Sequence, residues 1–214
     1  MSTEVELKLR FPQRFASQIK QLSLLNTYSI TEPYQQNLYS VYYDTPDFKL
    51  KKSRIALRLR KTGESWIQTI KSGGTICDGL HQHREWEYPT TDCKLDFAQL
   101  TDQKIKYFFS DRKLCQSLQP VFVTDFDRTT YLLGPAENFK LEFCIDEGFI
   151  TTKQPDSDLS EPICEIELEL KSGSKAQLLQ FSETLKKYCP CPLIPENKNK
   201  AMRGYALLLK KPGS

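Results

Sequence analysis

Several stretches of this chain alternate one apolar residue with one charged residue and hold almost nothing else. Glu4-Val5-Glu6-Leu7-Lys8-Leu9-Arg10 sets Glu4, Glu6, Lys8 and Arg10 on one parity and Val5, Leu7 and Leu9 on the other. The run from Cys164 repeats the pattern with Glu165, Glu167, Glu169 and Lys171. Leu57-Arg58-Leu59-Arg60 pairs two guanidinium groups. Glu142 and Asp146 share a parity in Leu141 to Asp146, and Glu85 and Glu87 alternate with Trp86 and Tyr88. Strand side chains point alternately to the two faces of a sheet, so each run, read as a strand, has one charged face. Gathered carboxylates suit hard cations such as Mg²⁺ or Mn²⁺. Gathered Arg and Lys suit phosphate, Arg through bidentate contacts. Together these residues could handle a polyanion along with its metal ions.

The elements that must position them are mostly strands. The pattern predicts strands at Val5 to Phe11, Ser40 to Asp44, Ile55 to Lys61, Trp66 to Lys71, His83 to Tyr88, Val121 to Leu133, Phe139 to Asp146 and Ile163 to Lys171. Helical spacing appears at Arg14 to Leu25, as two short pieces within Lys94 to Leu118, at Lys175 to Tyr188 behind an N-cap at Ser174, and at Lys198 to Leu209. Gly73-Gly74 with Gly79, Gly134-Pro135, and Gln154 to Glu161 read as turns or loops. About eight strands with few helices indicate an α+β fold in one domain, 1–214, with a sheet large enough to close.

Two arrangements accommodate charged strand faces. A solvated outer face is the ordinary one for a single strand, but such a face also takes Thr, Ser, Gln and Asn. These faces are nearly pure charge and are segregated by strand, and three glutamates at i, i+2 and i+4 repel one another unless cations sit between them. A barrel with its charged face inward and its apolar face under amphipathic helices fits better. Ions of both signs in a dry lumen would carry large desolvation penalties, so the lumen must be wet.

Composition narrows the function classes. In 214 residues, 12 Phe, 10 Tyr and 2 Trp exclude wholesale disorder. No apolar run reaches the roughly 18 residues of a membrane span. Lys+Arg 30 against Asp+Glu 27 gives +3, which points to no nucleic-acid coat and no polybasic membrane anchor. The N-terminus is charged within its first four residues and has no apolar signal core. Seven cysteines form no CxxC, and Cys189-Pro190-Cys191 lacks zinc spacing, so reduced thiols in the cytoplasm are expected. Oligomeric state is not fixed by these features.

The ordered set of motifs resembles the CYTH family, the triphosphate tunnel metalloenzymes. Glu4-x-Glu6-x-Lys8 matches its ExExK signature. Tyr42-Tyr43-Asp44-Thr45, Leu57-Arg58-Leu59-Arg60, Lys71, Glu85 and Glu165-x-Glu167-x-Glu169 follow in the family's order. Asn199-Lys200-Ala201-Met202-Arg203-Gly204 is similar to the family's Ser-Lys-x-x-Arg-Gly element, with Asn199 in place of Ser. The resemblance covers nearly the whole chain. It implies a closed eight-stranded antiparallel β-barrel with a charged lumen, helices packed on the outside, and divalent-metal-dependent hydrolysis of inorganic triphosphate to diphosphate and phosphate. By carry-over, Lys8, Arg58, Arg60, Lys71, Arg128 and Lys200 would act in catalysis and, with Arg203, grip substrate. Glu4, Glu6, Asp146, Glu165, Glu167 and Glu169 would hold Mg²⁺ or Mn²⁺, and Glu85, Glu87 and Glu142 would line the tunnel. Thiamine triphosphatase, class IV adenylate cyclase and a non-catalytic polyphosphate-binding module stay open as alternatives.

Some residues are ambiguous. His83 shares the parity of Glu85, yet a loop or edge role suits either His81 or His83, and neither is assigned as a ligand. Arg10 and Lys171 lie at strand ends, where solvent is expected. Trp66 and Trp86 are expected to pack on the outer face. Tyr42 and Tyr43 cannot both point inward.

Overall fold

The alternating runs all form strands. The computed structural model describes residues 2–90, 93–152 and 159–210. Its strands are β1 (Ser2–Arg10), β2 (Tyr34–Asp44), β3 (Ile55–Thr62), β4 (Ser65–Cys77), β5 (Leu80–Thr90), β6 (Gln119–Ala136), β7 (Phe139–Thr152), β8 (Ser160–Ser172) and the two-residue β9 (Ile194–Pro195). They hydrogen-bond in the order β5-β4-β3-β2-β6-β7-β8-β1-β9, and β5 also pairs with β1. That last pairing closes eight antiparallel strands into a barrel and leaves β9 on the end of β1, opposite Leu9 and Arg10. Parity fixes the faces. Leu7, Leu9, Phe143, Ile145, Ile166 and Leu168 point outward and are buried under helices, while the charged residues between them point inward.

The helices are α1 (Ala16–Lys20), α2 (Ser23–Tyr28), α3 (Lys49–Lys52), α4 (Gln103–Phe108), α5 (Arg112–Gln116), α6 (Lys175–Tyr188) and α7 (Lys200–Leu208). Ile19, Leu24, Leu25, Leu178, Phe181 and Leu185 of α1, α2 and α6 cover one outer side of the barrel. Ile105 and Leu114 of α4 and α5, with Phe109 between them, cover Leu57, Ile70 and Trp86 on another. The expected single helix over Arg14 to Leu25 is broken at Leu22, whose ψ is 128°. At 3.6 residues per turn, Ile19 and Leu25 would lie on different sides of one continuous helix; the break lets both be fully buried. Helix α6 starts as expected at Ser174, through a capping box with Gln177.

Helix α7 does not pack on the outside. Ala201, Tyr205 and Leu207 cluster with Leu38, Phe122, Phe126, Ile150 and Ile163, which carry inward parity. It therefore stops part of one barrel end from within. Asn199 replaces Ser without loss of the helix start, because its side chain accepts the Met202 N–H at 2.8 Å. Asp44 ties this end together. Fully buried, it accepts N–H groups from Thr45, Leu50 and Lys51 and the Tyr205 hydroxyl at 2.7 Å. That is the structural content of the Tyr-Tyr-Asp-Thr motif.

Gly204 lets α7 lie against Phe122, since a Cβ there would come within 2.4 Å of the ring. Gly204→Ala is expected to destabilise the protein although alanine favours helix by about 1 kcal/mol, because overpacking costs about 1–3 kcal/mol. A denaturant melt of the variant checks this; a gain in stability would show that the ring yields freely.

Gly73-Gly74 is not a loop. Both residues lie within β4, where the register with β5 shifts between Ser72 and Thr75. Gly74 has φ +114°, and a Cβ on it would meet the Gln82 carbonyl oxygen at 2.3 Å, so the bulge requires glycine. The turn itself falls at Asp78-Gly79. Gly134-Pro135 likewise lies inside β6, at a register shift just before the hairpin to β7. Of the expected loop Gln154 to Glu161, residues 154–158 lie outside the described residues, and Ser160 and Glu161 begin β8. No helix among the described residues is long and apolar enough to cross a membrane.

Candidate active site in the barrel lumen

The lumen holds a cavity of about 820 Å³. Glu4, Glu6, Lys8, Arg58, Arg60, Lys71 and Glu85 line it, as do Glu87, Arg128, Glu142, Glu167, Glu169 and Lys200. Register explains the gathering. Lys8 stands opposite Glu167 and Glu6 opposite Glu169 across β1 and β8. Glu4 faces His83 across β1 and β5, and Lys71 faces Glu85 across β4 and β5.

Asp146, Glu165 and Arg203 are all buried. None of the three lines the cavity. Asp146 and Glu165 are fully buried at the foot of α7, where the Lys200 ammonium contacts Asp146 at 2.6 Å, Glu167 at 2.9 Å and Glu165. Their oxygens, with one from Glu167, lie within 4.8 Å of one another, but the ammonium sits among them. Arg203 donates to Glu161 at 2.7 Å, Glu165 at 2.9 Å and the Pro162 carbonyl, so all its nitrogens are engaged by protein. Burial disfavours the charge on Lys200, but the three carboxylates outweigh it and hold its pKa above the ordinary lysine value. Glu167 is held well below the usual carboxylate range, because Lys200, Lys8 and Arg128 outweigh its burial. Burial raises Glu165.

A second carboxylate group faces the cavity. Glu4, His83 and Glu85 each offer a ligand atom within 4.8 Å of the others. Lys71 shares them, at 2.9 Å from Glu4 and 3.3 Å from Glu85. Burial opposes charge on Glu4, but Lys71 and hydrogen bonds with His83 and Glu85 hold it well below the usual range. Burial and the hydrogen bond with Glu4 push Glu85 up to about 8. The two carboxylates are thus pushed in opposite directions, Glu4 down and Glu85 up.

The guanidinium wall is different, because its charge is not fully matched. Arg128 is paired, with Asp146 at 2.6 Å and with Glu167. Arg58 approaches Glu85 only to 3.9 Å and the Tyr42 hydroxyl to 3.5 Å, and its Nε is buried with no hydrogen-bond partner. Arg60 meets Ser40 Oγ at 3.3 Å and, among the described residues, no carboxylate within ion-pair distance. Burial, with Arg58 and Arg128 as like-charged neighbours, pushes its pKa down to about 10. Arg58 thus has one distant carboxylate and a spare Nε, and Arg60 has none among the described residues, so this wall keeps donors able to take an anion.

The model of the CYTH domain matches residues 2–205. This chain belongs to the CYTH family. An inorganic triphosphatase of Haemophilus influenzae is 33% identical over 210 residues, which is 97% of this CYTH chain and 55% of that protein. The chain therefore spans about half the length of that curated relative. Among solved structures, an adenylyl cyclase candidate from Hippeastrum with a dominant triphosphatase activity superposes with TM-score 0.63 at 17% identity, over 95% of both chains. An adenylate cyclase candidate from Bacillus halodurans superposes with TM-score 0.55 at 20% identity, over 95% of this chain and 98% of that one. At these identities the likeness is one of fold.

The CYTH lumen also contains residues that sequence reading left unassigned. His83 lines the cavity 2.8 Å from Glu4, as its shared parity with Glu85 allowed. His81, also lining it, is buried and bonded to the Glu196 carbonyl at 2.7 Å. Tyr42 is the inward member of its pair, stacked on Phe122 at 4.5 Å, and Tyr43 packs outward in the cluster of Trp86. Lys171 lines the cavity and bridges Glu142 at 3.2 Å and Glu169 at 2.7 Å. Arg10 is exposed, as expected, beside Glu196.

Proposed function

We propose that this CYTH chain hydrolyses inorganic triphosphate to diphosphate and phosphate inside the barrel. The observation that carries the reading is the under-matched guanidinium pair, Arg58 with its orphaned Nε and only a distant Glu85, and Arg60 with no carboxylate partner among the described residues. Triphosphate would supply the missing negative charge. In phosphoryl transfer, charge spreads over the transferring and leaving oxygens, and fixed cations stabilise it without reorganising. Arg58, Arg60 and Arg128 would bind and orient phosphate oxygens, with Lys8 and Lys71 facing them. Lys200 would complete the cationic end, held there by Asp146 and Glu165, whose oxygens with Glu167 also lie close enough together to hold an ion, while Arg203 holds Glu165 in place.

The carboxylates fit a divalent metal. Glu4, Glu85 and His83 converge on one point beside the cavity, and Glu6, Glu167 and Glu169 lie on the same acidic wall. Their oxygen-rich donor set suits Mg²⁺ or Mn²⁺. Such an ion would polarise a phosphoryl oxygen and lower the pKa of a bound water. The identity of this relative of a curated inorganic triphosphatase supports the substrate, and no organic group is needed to satisfy the charges.

The test is phosphate release from inorganic triphosphate, ATP, thiamine triphosphate and long-chain polyphosphate, each with Mg²⁺, with Mn²⁺ and with excess EDTA. Inorganic triphosphate should turn over fastest, and EDTA should abolish turnover. No release from any substrate would refute hydrolysis in favour of simple binding. Undiminished release in EDTA would refute the metal.

A further inference from the structure

The two ends of the barrel differ. In an antiparallel barrel the connections alternate between ends. The β2–β3 connection with α3 and the β4–β5 turn therefore share one end, which α7 partly stops. The β3–β4 and β6–β7 hairpins mark the other.

At the far end the cavity wall carries Glu142, Glu169 and Lys171, two carboxylates on one ammonium. At the α3 end it carries Lys51 and Arg54. Among the described residues, neither makes an ion pair. Lys51 Nζ lies over the Tyr205 ring at 5.3 Å and the Phe48 ring at 5.7 Å. Its backbone N–H is fixed by Asp44 at 3.0 Å. Arg54 is exposed and holds φ +54°, a left-handed backbone that non-glycine residues rarely adopt. Its carbonyl accepts the Gly73 N–H at 3.3 Å, from the β4 bulge. Strain kept at the rim of a cavity is a pointer to function. Arg54 immediately precedes β3, the strand that carries Arg58 and Arg60, and lines the same cavity as they do.

Resting on the triphosphatase reading above, we propose that the polyanion enters the barrel at the α3 end, drawn in by Lys51 and Arg54, and that the carboxylate-rich far end does not admit it. A charged funnel of this kind raises association rates about 10- to 10³-fold and is screened by salt.

The test compares Lys51→Glu/Arg54→Glu with the wild type and with Lys104→Glu/Lys113→Glu, which makes the same change in net charge on the outer helices α4 and α5. kcat/KM for inorganic triphosphate is measured in about 0.01 M and about 1 M salt, where the screening length is about 30 Å and about 3 Å. The mouth variant should lose at least about 10-fold in kcat/KM at low salt and little at high salt. The outer control should stay close to wild type at both. Lys51→Gln/Arg54→Gln, which adds no repulsion, should fall between them, and it serves if charge reversal at Arg54 disturbs folding. Equal losses in the mouth and outer variants, or none in either, would overturn the entry route while leaving the triphosphatase reading standing. A wild-type protein that turns over no triphosphate would overturn both.

Discussion

Replacing Arg60 with glutamine is expected to stabilise the ligand-free protein while lowering kcat/KM for triphosphate about 10²- to 10³-fold, the usual loss for one preorganised electrostatic contact. The two effects have one cause. Arg60 is half-buried beside Arg58 and Arg128 with, among the described residues, only the Ser40 hydroxyl in hydrogen-bond reach, and its pKa is pushed down to about 10. Each unit of displacement corresponds to about 1.4 kcal/mol, so relief on the order of 1–3 kcal/mol is available when the charge is removed. When triphosphate binds, the same charge becomes favourable. Thermal melts with and without triphosphate separate the two: the variant should melt higher than the wild type alone, and gain less from ligand. A variant that melts lower and binds normally would mean that Arg60 serves the fold and not an anion.

Lys200→Met should act in the opposite way, with its main effect on stability. The substitution leaves Asp146 and Glu165 fully buried beside Glu167 without the ammonium that all three contact. Breaking a buried ion cluster by removing one partner costs about 3–5 kcal/mol, which for a chain of this size is a fall in Tm of roughly 10 °C. Neutralising a second member of the cluster, as in Lys200→Met/Glu165→Gln, should recover part of the loss, because the residues act as one network. Calorimetric melts of the single and double variants check this. A loss below about 1 kcal/mol in the single variant would show that water or Arg203 replaces the ammonium without cost.

Why these two cations behave so differently was only half legible in the sequence. Parity alone placed Arg58, Arg60, Glu4, Glu6, Lys8, Glu167 and Glu169 on one inner surface, because period two is a local property of strands. Depth along the barrel is not local. Glu165, Glu167 and Glu169 share one parity, yet Glu165 is sealed beneath α7 while the other two face the cavity. What separates them is the seating of α7, and that depends on Gly204 against Phe122, a contact between residues 82 positions apart in the chain. The same seating sets Arg203 against Glu161 and Glu165. Helix α7 reads in sequence as one more amphipathic helix, and nothing in its spacing says that its apolar side meets the inner face of a barrel.

Glycine pairs misled for a related reason. Gly73-Gly74 has the composition of a turn, but its positive φ values form a bulge inside β4. From that bulge the Gly73 N–H donates to the Arg54 carbonyl. His83 was readable as inward from parity, and only the pairing of β1 with β5 brings it to Glu4.

A polyanion in the lumen would lie against Arg58 and Arg60. The most direct measurement is a crystal structure of the protein with a non-hydrolysable triphosphate analogue. A phosphate chain is expected inside the cavity, with oxygens on Arg58, including its orphaned Nε, and on Arg60. An analogue bound only on the outer surface, or a lumen that leaves Arg58 and Arg60 without an anion at saturating concentrations, would contradict it.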